Sequence, residues 1–259
     1  MKNSLRILSI LITLFGYSFS SNAAEKVEYL KTEWSFKGLF GKFDRGALQR
    51  GYQVYTEVCS SCHSMKYLSY RNLAEEGGPE FSIDQAKAIA ASFEVTDGPN
   101  SDGEMFTRPG KLSDKFVKPY ENVKAAQAAN GGAYPPDMSV LVKARGGGVD
   151  YIYSLLQGYD DPPLGITLDD GVHYNKYMYG NKIKMANPLS DGLVEYSDGT
   201  EASVEQMSKD VTTFLMWAAE PHLEARHRIG FKAIVYLIVL TVLVYFSMRK
   251  IWSGIETKI

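Results

Sequence analysis

Apolar residues are distributed along this chain in three ways, and each predicts a different element. The first is a run from Ile7 to Phe19, preceded by the positive stretch Met1-Lys2-Asn3-Ser4-Leu5-Arg6 and followed by Ser20-Ser21-Asn22-Ala23-Ala24. Positive, then apolar, then small residues is the order of a secretory signal, here 1–23, with cleavage just after Ala23 or Ala24. The second is the stretch Ile229 to Met248, broken only by Lys232. At 1.5 Å per residue it extends about 30 Å, enough for one transmembrane helix. The third is periodic: from Ser203, the positions Val204, Met207, Val211, Phe214, Leu215 and Ala218 recur at helical spacing until Pro221 interrupts them.

The rest of the chain is punctuated. Residues 44–58 predict a helix with Asp44 as its N-cap, and Gly51, Tyr55 and Cys59, four apart, fall on one face of it. Turn residues crowd the chain from Gly77 to Asn130, leaving room for a short helix at about Ser82 to Phe93. Two more short helices are expected at 137–145 and 149–156, separated by Gly146-Gly147-Gly148. Residues 158–200 are rich in Gly, Pro, Asp and Tyr, and nothing alternates long enough for a large sheet. The expected architecture is mainly α, with a domain at 24–228, an anchor at 229–248 and a tail at 249–259.

Charge refines this picture. The whole chain has a net charge of −2, but residues 24–228 carry 22 Lys and Arg against 29 Asp and Glu, a net of −7. Eight acids and the single Lys87 lie between Glu75 and Glu104. Such a surface excludes nucleic acid as a partner and favours a basic protein. Basic residues flank the anchor on both sides, so orientation follows from the exported N-terminus. The domain is then expected in the periplasm, on a single pass through a bacterial inner membrane, with the tail in the cytoplasm.

The chain's two cysteines sit together in Cys59-Ser60-Ser61-Cys62-His63. C-x-x-C-H is the attachment signature of haem c. Two thiols three apart on a helical turn each reach one haem vinyl group, and the adjacent imidazole faces the iron. A structural zinc site needs further ligands, and no other cysteine exists to supply them. A thioredoxin-like pair needs a βαβ setting that is not predicted here. A disulfide across two residues closes too small a loop to stabilise much. One covalent haem c is therefore expected. For the sixth iron ligand, Met105, Met138, Met178 and Met185 lie in irregular segments and His173 offers a bis-histidine alternative; the residues alone leave these open.

Longer segments carry a resemblance. They include Trp34-Ser35-Phe36, Gly41-Lys42-Phe43-Asp44 and Leu48-Gln49-Arg50-Gly51 before the cysteines, and Met65-Lys66-Tyr67 and Tyr70-Arg71-Asn72-Leu73 after them. Further along come Arg108-Pro109-Gly110-Lys111-Leu112-Ser113-Asp114, Ala128 to Asp137, Ala144-Arg145, Asp150-Tyr151 to Gly158-Tyr159, and Lys209 to Pro221. Together these resemble the cytochrome c1 family, the haem subunits of quinol:cytochrome c reductase (bc1) complexes.

The resemblance implies a class I cytochrome c-like domain with long loop insertions, in which the helix before the haem site crosses the last helix of the domain. Gly51 and Tyr55 would meet Phe214 and Trp217 at that crossing. It implies thioethers from Cys59 and Cys62, His63 as proximal ligand and Met185 as sixth ligand. Arg145 would pair with a haem propionate, and Tyr151, Asn130 and Pro136 would line the crevice. It also implies cytochrome b and a Rieske iron–sulfur protein as partners, a cytochrome c as acceptor, and a dimeric complex. On this reading the chain moves electrons and has no catalysis of its own. A free-standing, membrane-tethered carrier serving an oxidase is the alternative. An enzyme such as a peroxidase would need an open iron position.

Overall fold

A computed structural model describes residues 27–256; the expected signal peptide lies outside the described residues. Six α-helices carry the architecture: α1 (Arg45–Glu57), α2 (Ile83–Ala91), α3 (Val123–Ala129), α4 (Gly148–Gln157), α5 (Val204–Ala219) and α6 (Leu223–Glu256). Two small antiparallel hairpins interrupt them. In the first, β1 (Glu94–Asp97) pairs with β2 (Phe106–Pro109), Glu94 opposite Pro109; in the second, β3 (His173–Tyr174) pairs with β4 (Lys182–Ile183), His173 opposite Ile183. The rest of the described residues are short 3₁₀ helices (Cys59–Ser61, Tyr70–Ala74 and Tyr179–Asn181), turns and loops.

Helix starts follow their local chemistry. Asp44 caps α1 by accepting from Ala47 N at 3.2 Å. Ser82 and Gln85 form a reciprocal capping box at α2, and Ser203 caps α5 by accepting from Gln206 N. Two expectations need correction. Residues 138–144 are successive turns rather than a helix, with Leu141 N bonded to Met138 O and Lys143 N to Val140 O. Asp137 takes Ser139 N instead of leaving it to a helical ladder, and Gly147 at φ +88° ends the run before α4. The helix α3 was not expected. It is short and alanine-rich, capped by Asn122, and buries only Ala126, so it shows no apolar period to read.

α1 crosses α5 at the centre of the core. A Cβ on Gly51 would run into the Asp210 carbonyl oxygen and lie 2.8 Å from Phe214 Cβ, so the two backbones meet where α1 lacks a side chain. Around the crossing, Tyr52 and Tyr55 lie 5.7 and 5.9 Å from the Phe214 ring, and Phe116 stacks on Tyr70 at 4.9 Å. Each such aromatic pair adds about 0.5–1.5 kcal/mol beyond area burial. Trp217 packs beside the crossing, its ring 5.4 Å from Phe214, and also against Gly78, where a Cβ would come within 2.9 Å of its indole. A buried ion pair closes the same interface: Arg50 donates from Nε to Asp210 Oδ2 at 2.8 Å and from Nη2 to Oδ1 at 3.1 Å.

Residues 220–222 join α5 to α6, and the junction is riveted. Leu223 is buried, and Glu220 bridges Lys143 and Arg226. Arg45 grips Glu224 with both guanidinium nitrogens, at 2.7 and 2.9 Å, and Arg228 reaches Glu76 at 3.2 Å. Beyond these contacts α6 leaves the domain. Within Leu223–Gly254 its most apolar 18-residue window has a mean hydropathy of 2.3 with none of it buried, and it is the one helix among the described residues long and apolar enough to cross a membrane. It begins earlier than the expected anchor at 229, because its first two turns still belong to the domain surface.

Candidate functional site

α1 delivers the C-x-x-C-H segment as one tight turn. After Glu57 the backbone winds into a 3₁₀ turn at Cys59–Ser61, with Cys62 N and His63 N both donating to Cys59 O at 3.1 and 2.9 Å. Ser60 Oγ donates to Thr56 O and Ser61 Oγ to Val58 O, tying both spacer residues back to the helix end. The two thiols are free of each other. Burial pushes the Cys59 thiol up to about 12, with the neighbouring Cys62 adding to the effect. That is the opposite of the lowered pKa of a thioredoxin-type nucleophile.

His63 is buried and oriented by a carbonyl. Its Nδ1 lies 2.8 Å from Pro136 O. A carbonyl only accepts, so Nδ1 carries the proton and Nε2 keeps its lone pair free for a metal. Burial lowers the imidazole pKa, opposed by the Pro136 bond and by Asp137, which keeps the ring neutral at physiological pH.

The Pro136 strap is itself clamped. Asp137 Oδ2 accepts from Ser64 Oγ at 2.7 Å and Lys66 N at 3.0 Å, while its Oδ1 accepts from Ser139 N at 3.0 Å. Met138 N bonds Ser64 O at 2.8 Å, and Ser139 Oγ accepts from Tyr67 N at 3.1 Å. Burial is the largest single effect on Asp137 and raises its pKa, but these hydrogen bonds together outweigh it and lower the carboxyl below its ordinary value. From Tyr55, Oη donates to His63 O at 3.2 Å, so the crossing helix also supports the imidazole backbone.

A second wall is built from later loops. Tyr120 Oη lies 4.0 Å from Cys62 Sγ and accepts from Asn130 Nδ2 at 3.1 Å. Lys184 Nζ donates to Gly131 O at 3.0 Å, which joins the Asn130 loop to the Met185 segment. Tyr159 Oη donates to Met185 O at 3.1 Å, and burial pushes the Tyr159 phenol well up. Tyr151, on α4, is buried with its ring 5.5 Å from Tyr29 and its Oη 3.4 Å from Met178 Sδ. Arg145 is exposed at the turn before α4 and donates to Ala144 O. His173 sits on β3 opposite Ile183, two residues before Met185, and lines a cavity of about 440 Å³ with Tyr159 and Asn187.

Of the expected residues, Cys59, Cys62, His63 and Pro136 thus form one contiguous unit. Asn130 joins it through Tyr120, and Met185 joins Asn130's loop through Lys184. Tyr151 and Arg145 stand nearby on and before α4, without a hydrogen bond to that unit. Sequence reasoning missed Asp137, Tyr120 and Tyr159 as supports. Asp137 had a local signal, an Asp two residues before a Ser after paired prolines; the tyrosines act across 58 and 26 residues of chain and had none. Missed too was Asn175, fully buried, which donates to Leu155 O at 2.8 Å and accepts from Tyr177 N at 3.0 Å. It seats the start of the 175–185 strap on the end of α4.

The donor set fits haem c: two free thiols on one turn, a neutral imidazole with Nδ1 already bonded, and a thioether-bearing strap tied to the opposite loop. Among the described residues no group of three or more His, Cys, Asp or Glu converges as ligands for a bare metal ion.

Comparison with known proteins agrees with the motif. The sequence model described as the Cytochrome C1 family matches residues 34–255. The chain is 52% identical over 240 residues to the cytochrome b/c1 of Bradyrhizobium diazoefficiens, covering 85% of this chain but 35% of that protein. It is 45% identical over 251 residues to "cytochrome c1-1, heme protein, mitochondrial" of Solanum tuberosum, covering 97% of this chain and 78% of the relative. With the cytochrome c1 of Rhodospirillum rubrum it shares 46% identity over 242 residues, covering 87% and 88%. It therefore spans about a third of the Bradyrhizobium protein and most of the other two.

Proposed function

The chain belongs to the cytochrome c1 family, and from that membership we propose that it carries one covalently attached haem c and relays single electrons within a quinol:cytochrome c reductase. The observation that carries the reading is the Cys59–His63 turn with His63 Nδ1 bonded to Pro136 O at 2.8 Å. Cys59 and Cys62 would hold the haem through two thioethers, one from each thiol. His63 offers Nε2 as the proximal ligand, with its ring rotation stopped by the Pro136 carbonyl. Met185 would be the second side-chain ligand to the iron, its strap held by Tyr159 and Lys184. Arg145 pairs with a propionate, and Asn130, Pro136 and Tyr151 line the crevice. Bound haem supplies an iron that alternates between ferric and ferrous states. With His63 and Met185 both holding the iron, the chain would act as a relay.

Electrons arrive from a Rieske iron–sulfur protein and leave to a cytochrome c. The relative named cytochrome b/c1 supports cytochrome b as a neighbour, and the assembly is dimeric. α6 crosses the inner membrane once, with residues 24–228 in the periplasm and 249–259 in the cytoplasm. Of the acids between Glu75 and Glu104, Glu76, Glu80, Asp84 and Asp97 are already in ion pairs. Attraction of a basic acceptor falls more to Glu94, Asp102 and Glu104, exposed on and around the β1–β2 hairpin.

The test is an optical spectrum of membranes containing the full chain, oxidised and reduced, beside a Met185→Leu variant. A haem c spectrum whose sulfur–iron charge-transfer band vanishes in the variant is the expected result. A band that survives the substitution refutes Met185 as ligand, and absence of a haem c spectrum refutes the function.

A further inference from the structure

A tight turn before α1 presents two apolar side chains to the outside next to α6. Gly38 takes φ +91°, Gly41 N bonds Gly38 O at 3.3 Å, and Lys42 N bonds Ser35 O at 3.0 Å. A Cβ on Gly41 would collide with the carbonyl oxygens of Phe36 and Lys37, so the turn has no room to be wider in side chain or looser in path. Its base is fixed on both sides. Trp34, Phe36 and Phe43 are buried, Trp34 Nε1 donates to Asp150 Oδ1 at 2.6 Å, and Phe43 N donates to Glu224 Oε1 at 2.8 Å. Between these anchors Leu39 and Phe40 stay 62% and 68% exposed. Water is a poor solvent for such a pair on a rigid support.

The position of the turn identifies what covers it. The Phe40 ring meets Phe231 of α6 edge-on, centroids 5.7 Å apart. Phe231 is two residues, about 3 Å, into the apolar stretch that starts at Ile229. Leu39 and Phe40 are therefore level with the entry of α6 into its apolar section and continuous with that helix's exposed surface. Lys42, two residues after Phe40, and Lys232, next to Phe231, are exposed cations suited to anionic headgroups, while Arg226 and Arg228 are paired with Glu220 and Glu76. Two side chains are far too small a patch for a specific protein contact, which takes about 800 Å² a side.

We propose that the Gly38–Gly41 turn is a second membrane attachment point, with Leu39 and Phe40 entering the headgroup–acyl boundary of the phospholipid bilayer beside α6. The proposal rests on α6 spanning the membrane. One helix leaves a domain free to rotate about the helix axis; a helix and an off-axis contact together fix its orientation. Because the turn's base is bonded to Asp150 of α4 and Glu224 of α6, that orientation passes rigidly to the haem crevice.

The experiment uses the full, haem-loaded chain in its own membranes, with Phe40→p-benzoyl-phenylalanine as a photoreactive probe. The same replacement at Val239, midway along α6, reports on the span, and at Leu164, in a remote exposed loop, on water. After illumination the chain is weighed intact. The expected result is a mass increase of one phospholipid at positions 40 and 239 and none at 164. Lipid adducts at 239 with none at 40, or a dominant adduct at 40 with another polypeptide, overturn the proposal while leaving the anchor intact. Absence of lipid adducts at 239 overturns the spanning reading, and the proposal falls with it.

Discussion

Replacing Gly51 by Ala sets two effects of opposite sign against each other. In an exposed helix the change is favourable by about 1 kcal/mol, because alanine loses less backbone entropy than glycine. At the α1–α5 crossing the new methyl has nowhere to go: it runs into the Asp210 carbonyl oxygen and lies 2.8 Å from Phe214 Cβ. Neither neighbour is the flexible end of a side chain, so α5 itself must shift. Overpacking of this kind costs about 1–3 kcal/mol, and backbone collision places it at the upper end. The net expectation is a loss of about 2 kcal/mol, or about 4–8 °C in Tm for a domain of this size. Thermal unfolding of the full chain in detergent, followed by circular dichroism, measures it. Gly46→Ala in the same helix is the control, since its Cβ meets nothing nearer than Arg50 Nη1 at 3.3 Å. A Gly51→Ala chain as stable as the parent would refute the close-approach account of the crossing.

Three other perturbations probe the site and its supports. Asp137→Ala leaves Ser64, Lys66 N and Ser139 N without their acceptor; a stranded buried group costs about 1–3 kcal/mol, which applies to fully buried Ser139 rather than to exposed Lys66. A looser Pro136 strap also weakens the His63 Nδ1 bond, making the imidazole a poorer donor. A redox titration should find the iron potential raised, and an unchanged potential would mean that Asp137 does not act through His63. Arg50→Met strands the buried Asp210 carboxylate and should cost about 3 kcal/mol in urea unfolding, partly recovered by adding Asp210→Asn; no recovery would deny the coupling. At low pH, Asp114 is the group to watch. Hydrogen bonding from Arg108 pulls its carboxyl down to about 2, so its contribution is complete above its ordinary pKa near 4 and lost as pH falls through 2. Arg108→Met should flatten the stability profile between about pH 4 and 2, and an unaltered profile would assign the acid sensitivity elsewhere.

What could be read along the chain was whatever is local or strictly periodic. The haem attachment signature is five consecutive residues, because two thioethers and a proximal imidazole must come from one turn. The caps at Asp44, Ser82 and Ser203 bond backbone three residues away, so their residue types announce them. An apolar stretch as long as Ile229–Met248 needs no tertiary context to predict a helix, since length and composition alone decide whether it fits a bilayer. Amphipathic α5 was legible because its burial repeats at helical spacing.

Contacts that depend on where distant segments meet were not legible. The turns at 138–144 prevail over a helix because Asp137 is drawn into bonds with Ser64 and Lys66 across 73 and 71 residues of chain. α3 hid its helical nature by burying one alanine. The tautomer of His63 is set by a proline carbonyl 73 residues away. Met185, the proposed second ligand, was singled out among the methionines only by resemblance, and the bonds from Tyr159 and Lys184 that hold its strap are made between loops. Sequence decides propensity, motif and the length of an apolar run. The tertiary structure decides which backbone carbonyl lies opposite which ring, because that requires loops far apart in the chain to pack on the α1–α5 crossing first.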